Sequence, residues 1–185
     1  MIYEAHEFSL KDGTKVIIKS PAISDGPKLL ANIIAISAST DFLLSVPEDY
    51  DIYLKDMKKE EDFIASFVDN DSCLLCAYVN DKVIANCKLS VRTHVKDHHR
   101  ADIGIAIAPE YQNRGLGSLL FDILIQIAKN LKYVEQLELE VVKINERAKH
   151  LYLNKGFVKV GDIPHDIKLK DGAYLDSEKM VLFLK

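Results

Sequence analysis

Apolar positions recur along the chain with two periods, one near two and one near 3.6, and the places where the period changes mark the elements. Residues 8–10 and 15–19 flank Asp12-Gly13 and predict a hairpin. Leu29, Leu30, Ile33, Ile34 and Ile36 fall on one side of a helix that Ser24 or Asp25 can cap and that runs to about residue 39. Phe63, Ile64, Phe67 and Val68 predict a second helix over 59–68. A long hairpin follows, with arms 73–79 and 83–92 joined around Asn80-Asp81, and then a third strand over 100–108. After Pro109 the pattern switches to a helix over 115–130, a strand over 137–142, a helix over 145–155, a strand over 157–161 and a closing strand over 179–184. Hairpins first and strand-helix-strand units later imply an α/β (α+β) fold: one mixed, twisted sheet of six or seven strands with about four helices on its faces.

Composition narrows the picture. With 185 residues, 48% of them apolar, the chain can bury one sizeable core, and it reads as a single domain over 1–185. The formal net charge is -4 and the signs are interspersed, so there is no electrostatic case for nucleic acid or an anionic membrane as the main partner. No apolar run approaches the roughly 20 residues of a spanning helix, and residues 1–10 hold no basic region followed by a hydrophobic stretch. A cytoplasmic location is expected. Cys73, Cys76 and Cys87 are an odd set that suits reduced thiols, and Cys73 and Cys76 lie in an apolar run where they face opposite sides of a strand. His94, Asp97, His98 and His99 match no closed zinc pattern, so that stretch reads as a loop and no metal is expected. The run 55–62 mixes both signs and reads as a solvated linker and helix start.

Chemistry concentrates where the strand ending in Ile103-Gly104-Ile105-Ala106-Ile107-Ala108 passes through a short turn into the helix after Gly115. A strand-turn-helix junction points unpaired backbone N–H groups at one place, with the positive end of the helix dipole behind them. That is a site for a phosphate or pyrophosphate. Gly115 and Gly117 let an anion approach the backbone closely, and Arg114 can add a charge at the mouth. An isolated G-x-G would only permit a tight connection. The segment lacks the phosphate-loop pattern, and Leu120 stands where a dinucleotide fold would want its third glycine.

Gln112-x-x-Gly115-x-Gly117 closely resembles the pyrophosphate-binding motif of the GNAT N-acetyltransferase superfamily. The stretch from Asn145 through Ala148, Leu151 and Tyr152 to Gly156-Phe157 resembles that superfamily's N-x-x-A-x-x-L-Y-x-x-x-G-F signature. Together these cover about 72–161, and Gly172, Tyr174, Asp176 and Met180 resemble the ending of some bacterial members. The resemblance implies acetyl-CoA as co-substrate, with its pyrophosphate on the turn of Gln112, Asn113, Arg114, Gly115, Leu116, Gly117 and Ser118. It implies that the strands over 102–108 and 137–142 splay apart. Backbone groups of Ile105, Ala106 and Ile107 would then pair with pantetheine amides, as a peptide adds to a sheet edge.

On one side of the helix from Asn145, the residues Asn145, Ala148 and Tyr152 face the same ligand. By the resemblance, Asn145 bonds the cofactor and Tyr152 protonates the departing thiolate. An amine with a pKa of about 10.4 is mostly protonated at pH 7, so attack on the thioester needs a base. Asp102, where several members carry a glutamate, and Glu140, at the place of the base in another branch, are both candidates. The acceptor is a small-molecule or peptide amine, with polyamines, amino acids, antibiotics and protein N-termini all open. A homodimer is compatible with this reading. No cysteine lies in either motif, which favours direct attack. Two rival classes are a non-catalytic acyl-CoA-binding module and a nucleotide- or dinucleotide-binding domain. Tyr152 and two candidate bases count against the first; the missing third glycine and the antiparallel first half count against the second.

Overall fold

A computed structural model describes residues 1–184. Among these residues eight strands form one sheet: β1 (His6–Ser9), β2 (Lys15–Lys19), β3 (Cys73–Val79), β4 (Lys82–Val91), β5 (Arg100–Ile107), β6 (Gln136–Val142), β7 (Val158–Lys168) and β8 (Tyr174–Phe183), ordered β1-β2-β3-β4-β5-β6-β8-β7. Five helices accompany them: α1 (Gly26–Ser37), α2 (Asp51–Lys55), α3 (Lys58–Ala65), α4 (Leu116–Asn130) and α5 (Glu146–Asn154). None of these helices is long and apolar enough to cross a membrane. The expected mixed sheet is present. Neighbouring strands run antiparallel except β5 and β6, the one parallel pair among the described residues.

That parallel pair is short. Only Arg100↔Gln136, Ala101↔Leu137 and Asp102↔Glu138 are in register before the strands part. Beyond Asp102, β5 stays paired with β4 as far as Ala85↔Ile107, and β6 stays paired with β8 as far as Val142↔Ser177. Each strand keeps one full ladder, so the predicted splay forms without unravelling the sheet.

Alternation divides the two faces of this fork. Ala101 and Ile103 of β5 and Leu137, Leu139 and Val141 of β6 are buried with Leu116, Leu120, Phe121 and Leu124 of α4 and Tyr152 of α5. Ala106 points the other way and packs with Ile36 of α1. Asp102, Glu138 and Glu140 share that second face.

The structure departs from the sequence expectation in five places. The sheet has eight strands where six or seven were expected, since every one of the strand segments read from the sequence joins it, and the closing pair is longer than expected: β7 runs past Gly161 and Pro164, and β8 begins at Tyr174. β7 is an edge strand whose register with β8 shifts between Ile163 and Ile167, so a proline there removes no ladder bond. A fifth helix, α2, forms just before and into the run expected to be a linker. α3 stops at Ala65, where Ser66 Oγ donates to Phe63 O at 2.6 Å. Asp25 occupies the N-cap position of α1 but caps nothing. Its carboxylate instead accepts from Ala22 N–H at 3.1 Å and from the Tyr78 hydroxyl at 2.9 Å, and pairs with Lys19 and Lys28.

Cys73, Cys76 and Cys87 are free and buried. Cys73 and Cys87 lie in the α4/α5 core, and Cys76 packs with Leu29 and Ile64 under α1 and α3. Burial pushes the Cys73 thiol up to about 11.

Burial raises the Asp25 pKa, but the Ala22 N–H, the Tyr78 hydroxyl and the two lysines outweigh it and the net shift is downward. Tyr78→Phe deletes one donor and leaves the carboxylate buried. Urea denaturation should show a loss of about 1–3 kcal/mol with an unchanged m-value.

Candidate active site

After β5 the chain makes a 3-10 turn over Pro109–Tyr111, and Gln112 returns to an extended conformation. Asn113 and Gly115 both take positive φ, 60° and 88°, and Gly115 is the N-cap of α4. A left-handed residue at this point turns the chain sharply into the helix, which a glycine does without a Cβ clash. Leu119 N–H is the first to find a carbonyl, that of Gly115 at 3.1 Å. Among the described residues no acceptor pairs with the N–H groups of Leu116, Gly117 and Ser118, so the first turn of α4 presents three aligned donors.

Gly117 is small for a further reason. A Cβ on it would stand 3.2 Å from Leu151 Cδ2 and 3.3 Å from Ile107 Cδ1, so α4 meets β5 and α5 at this residue. Arg114 leans away from the turn: its guanidinium bonds Asp12 at 2.8 Å and covers the Tyr111 ring.

Two hydrogen bonds fix which backbone groups of β5 face the opening. Arg92 N–H donates to Arg100 O and Ala108 N–H to Ile84 O. The even-numbered residues of β5 therefore exchange bonds with β4, and the backbone groups of Ile105 and Ile107 face the β6 side. Ala106, expected to serve the same edge, has its backbone turned to β4. Gln112 Nε2 donates to Ile107 O at 2.8 Å, tying the turn to the rim of the opening.

Asn145 caps α5, its Oδ1 accepting from Ala148 N–H at 3.2 Å. The cap uses the side-chain oxygen, and the amide NH2 still has donors to offer. Tyr152 is 9% exposed, its ring 5.1 Å from Phe121 and 6.1 Å from Phe157. Among the described residues no side chain or backbone group bonds its hydroxyl. Burial pushes its pKa up to about 12, so the phenol holds its proton at neutral pH.

Across the sheet, where the fork closes, lies a charged cluster that sequence reasoning missed. Glu138 is 1% exposed, yet it receives Arg92 Nη2 at 3.1 Å, Lys179 Nζ at 3.0 Å, Gln136 Nε2 at 2.7 Å and the Arg100 Nε. Burial alone would raise its pKa. The hydrogen bonds from Arg100, Gln136 and Lys179 and the charge of Arg92 overcome that and hold it at about 2. Arg92 also grips Asp102 through both carboxylate oxygens, at 3.1 and 2.9 Å, which engages the lone pairs a base would need. Glu140 is looser, with Lys179 Nζ 3.9 Å away and half its side chain exposed.

Of the residues expected to form one site, the structure brings Gln112, Gly115, Leu116, Gly117 and Ser118 to one rim with Ile105 and Ile107. Tyr152 lies on the α4/α5 face, and Asp102 and Glu140 lie on the other. Among the described residues, the histidine-rich loop meets the site only at its charged cluster: Asp97 approaches Arg92 at 3.8 Å, while His98 Nδ1 contacts Val95 O at 2.7 Å within the loop.

Residues 39–157 match the model of the acetyltransferase (GNAT) family. A spermidine N(1)-acetyltransferase of Escherichia coli K12 is 33% identical over 86 residues, which is 46% of this chain and 46% of that protein. The chain thus spans about half the length of the curated relatives it matches. A GNAT-family acetyltransferase structure from Streptococcus pneumoniae aligns with a TM-score of 0.84 and 27% identity, over 91% of this chain and 99% of that one. The yncA structure from Salmonella typhimurium, described as a putative acetyltransferase with its cofactor acetyl-CoA, aligns with a TM-score of 0.78 at 17% identity, over 92% and 94%. At that identity it shows a shared fold.

Glu138 also makes stability depend on pH. Its carboxyl titrates at about 2 when folded against an ordinary value of 4.5. The stability this difference supplies is complete above 4.5 and is lost as pH falls toward 2. Unfolding free energies measured across that window should decline steeply in the native protein. In Glu138→Gln they should start lower and decline less.

Proposed function

The chain belongs to the acetyltransferase (GNAT) family, and we propose that it moves the acetyl group of acetyl-CoA onto the primary amine of a small-molecule or peptide acceptor by direct attack. The observation that carries this reading is the opening between β5 and β6, with backbone donors at its rim, a buried phenol on one face and carboxylates on the other. The acetyl-CoA complex of a neighbour with the same fold and the spermidine acetyltransferase among the relatives support co-substrate and acceptor class.

In this reading the N–H groups of Leu116, Gly117 and Ser118 bind the pyrophosphate, and the backbone groups of Ile105 and Ile107 align the pantetheine arm. Asn145 offers its amide NH2 beside them. The acceptor approaches on the face of Asp102 and Glu140. Glu140, not doubly gripped as Asp102 is, takes a proton from the ammonium, directly or through a water. The freed nitrogen attacks the thioester carbonyl, the N–C bond forms and the C–S bond breaks. Tyr152, on the opposite face, gives its proton to the departing sulfur, and the second proton that the nitrogen sheds as the amide forms restores the phenol through solvent. A buried phenol raised to about 12 is in its acid form at neutral pH, so the proton is in place when charge develops on the sulfur. The buried thiols, raised by desolvation, are poor nucleophiles, in keeping with a route without an acyl-enzyme.

Tyr152→Phe keeps the ring in its aromatic cluster and removes only the donor. Its kcat should fall about 10²-fold while acetyl-CoA affinity by calorimetry and the melting temperature stay close to wild type. Wild-type kcat in this variant would rule the phenol out as the acid.

The base is tested by two pH profiles. Glu140→Gln should lower kcat/KM by about 10²-fold near neutral pH and regain part of the loss at high pH, where free amine is abundant. Asp102→Asn should show a smaller loss with no such recovery. The reverse pattern would transfer the role to Asp102, and equal, pH-independent losses would leave the proton to solvent.

A further inference from the structure

Glu140 and Lys179 stand directly opposite each other on β6 and β8. Directly opposed side chains of unlike charge are natural partners. Yet the Lys179 ammonium leans one rung away, to 3.0 Å from Glu138 and 3.9 Å from Glu140. Desolvation explains the choice. Glu138 is almost fully buried, so an unmatched charge there is costly, whereas Glu140 keeps half its surface in water. Arg92 and Arg100 each also send a guanidinium nitrogen to Glu138, while Arg92 bonds Asp102 as well.

We propose that Glu138 is a positioning residue for acetyl transfer: by holding Lys179 on itself, it keeps the ammonium off Glu140 and leaves that carboxylate to take the acceptor's proton. The proposal rests on the reading of Glu140 as base. Lys179 of β8 is the one cation within 4.0 Å of Glu140 among the described residues. Glu138 on the same strand, Asp102 on β5, Arg92 after β4 and Arg100 on β5 form the rest of the charged surroundings, linked to Lys179 through Glu138. In Glu138→Gln the side chain keeps its shape and loses its charge. Lys179 then has one carboxylate within reach, and a closer ammonium makes Glu140 a weaker base.

The first readout needs no turnover. A crystal structure of Glu138→Gln should place Lys179 Nζ within hydrogen-bond distance of Glu140; a lysine left at residue 138 overturns the proposal. The second is kinetic. In Glu138→Gln the acid limb of kcat/KM should move to lower pH and the plateau fall about tenfold. Adding Lys179→Met should restore most of the rate, because it removes the misplaced cation, and a double variant slower than Glu138→Gln alone overturns the idea. Should Glu138→Gln fail to fold, Lys179→Met alone decides: with the ammonium already held on Glu138 in the native protein, its acid limb and its KM for acetyl-CoA should stay close to wild type, and a limb moved to higher pH by about one unit or more refutes the proposal. If the lysine moves as expected but Glu140→Gln retains wild-type rate, the base assignment is what fails and the positioning role falls with it.

Discussion

Three rungs of parallel pairing between β5 and β6 are the constraint on which the rest of this chain depends. A buried strand edge with unpaired N–H and C=O groups is costly unless something polar satisfies it. Here the edge past Asp102 is left open while β4 and β8 secure the far sides of both strands. The opening therefore suits an extended ligand with its own amides. The α4 N-terminus lies at the mouth of the opening, the aromatic cluster of Phe121, Tyr152 and Phe157 on one wall and the carboxylates on the other.

The closed end of the fork is held by charge. Asp102 and Glu138 are directly opposed carboxylates, an arrangement that repels by itself. Arg92 removes the repulsion by bonding both. Taking Glu138 out of water costs several kcal/mol, but its partners outweigh that while the carboxylate is ionised, so the cluster stabilises the fold above the acid range. It also specifies register. A one-residue slip of β6 would turn Glu138 and Glu140 toward Leu120 and Phe121, and Leu137 and Leu139 toward Arg92 and Lys179. The fork can close at only one rung without burying unmatched charge, and that rung sets the depth of the opening.

The sequence made plain what is local. Asn80-Asp81 announces a hairpin because small polar residues tolerate the left-handed conformation both adopt there, with φ of 48° and 62°. The turn into α4 is read from short-range spacing in the same way, whereas the capping of α5 by Asn145 emerged only from the structure. β7 was misjudged because Gly161 and Pro164 look like strand breakers, and only the knowledge that β7 is an edge strand with a shifted register removes the objection. Glu138 was missed for a different reason. In Gln136-Leu137-Glu138-Leu139-Glu140 it is one of two alternating glutamates, the pattern of a solvated face. Its burial is made by Arg92, Arg100 and Lys179, which come from distant parts of the chain, and no window around residue 138 contains them.

Gly117 joins the two halves of the site in a way its motif does not suggest. In the sequence it stands for close approach of a phosphate to the backbone. In the structure its missing Cβ also lets the side chains of Leu151 and Ile107 come closer than most Cβ atoms tolerate. Leu151 precedes Tyr152 on α5, and Ile107 ends the β5 edge that faces the opening. The glycine in the first turn of α4 is thus the residue against which both α5 and the rim of the opening are seated. A methyl group added there would require the Leu151 and Ile107 side-chain tips to give way by a few tenths of an ångström. The small residue serves the packing of three elements, and under the proposed function it would link the cofactor turn to the helix that carries Tyr152 through one α-carbon.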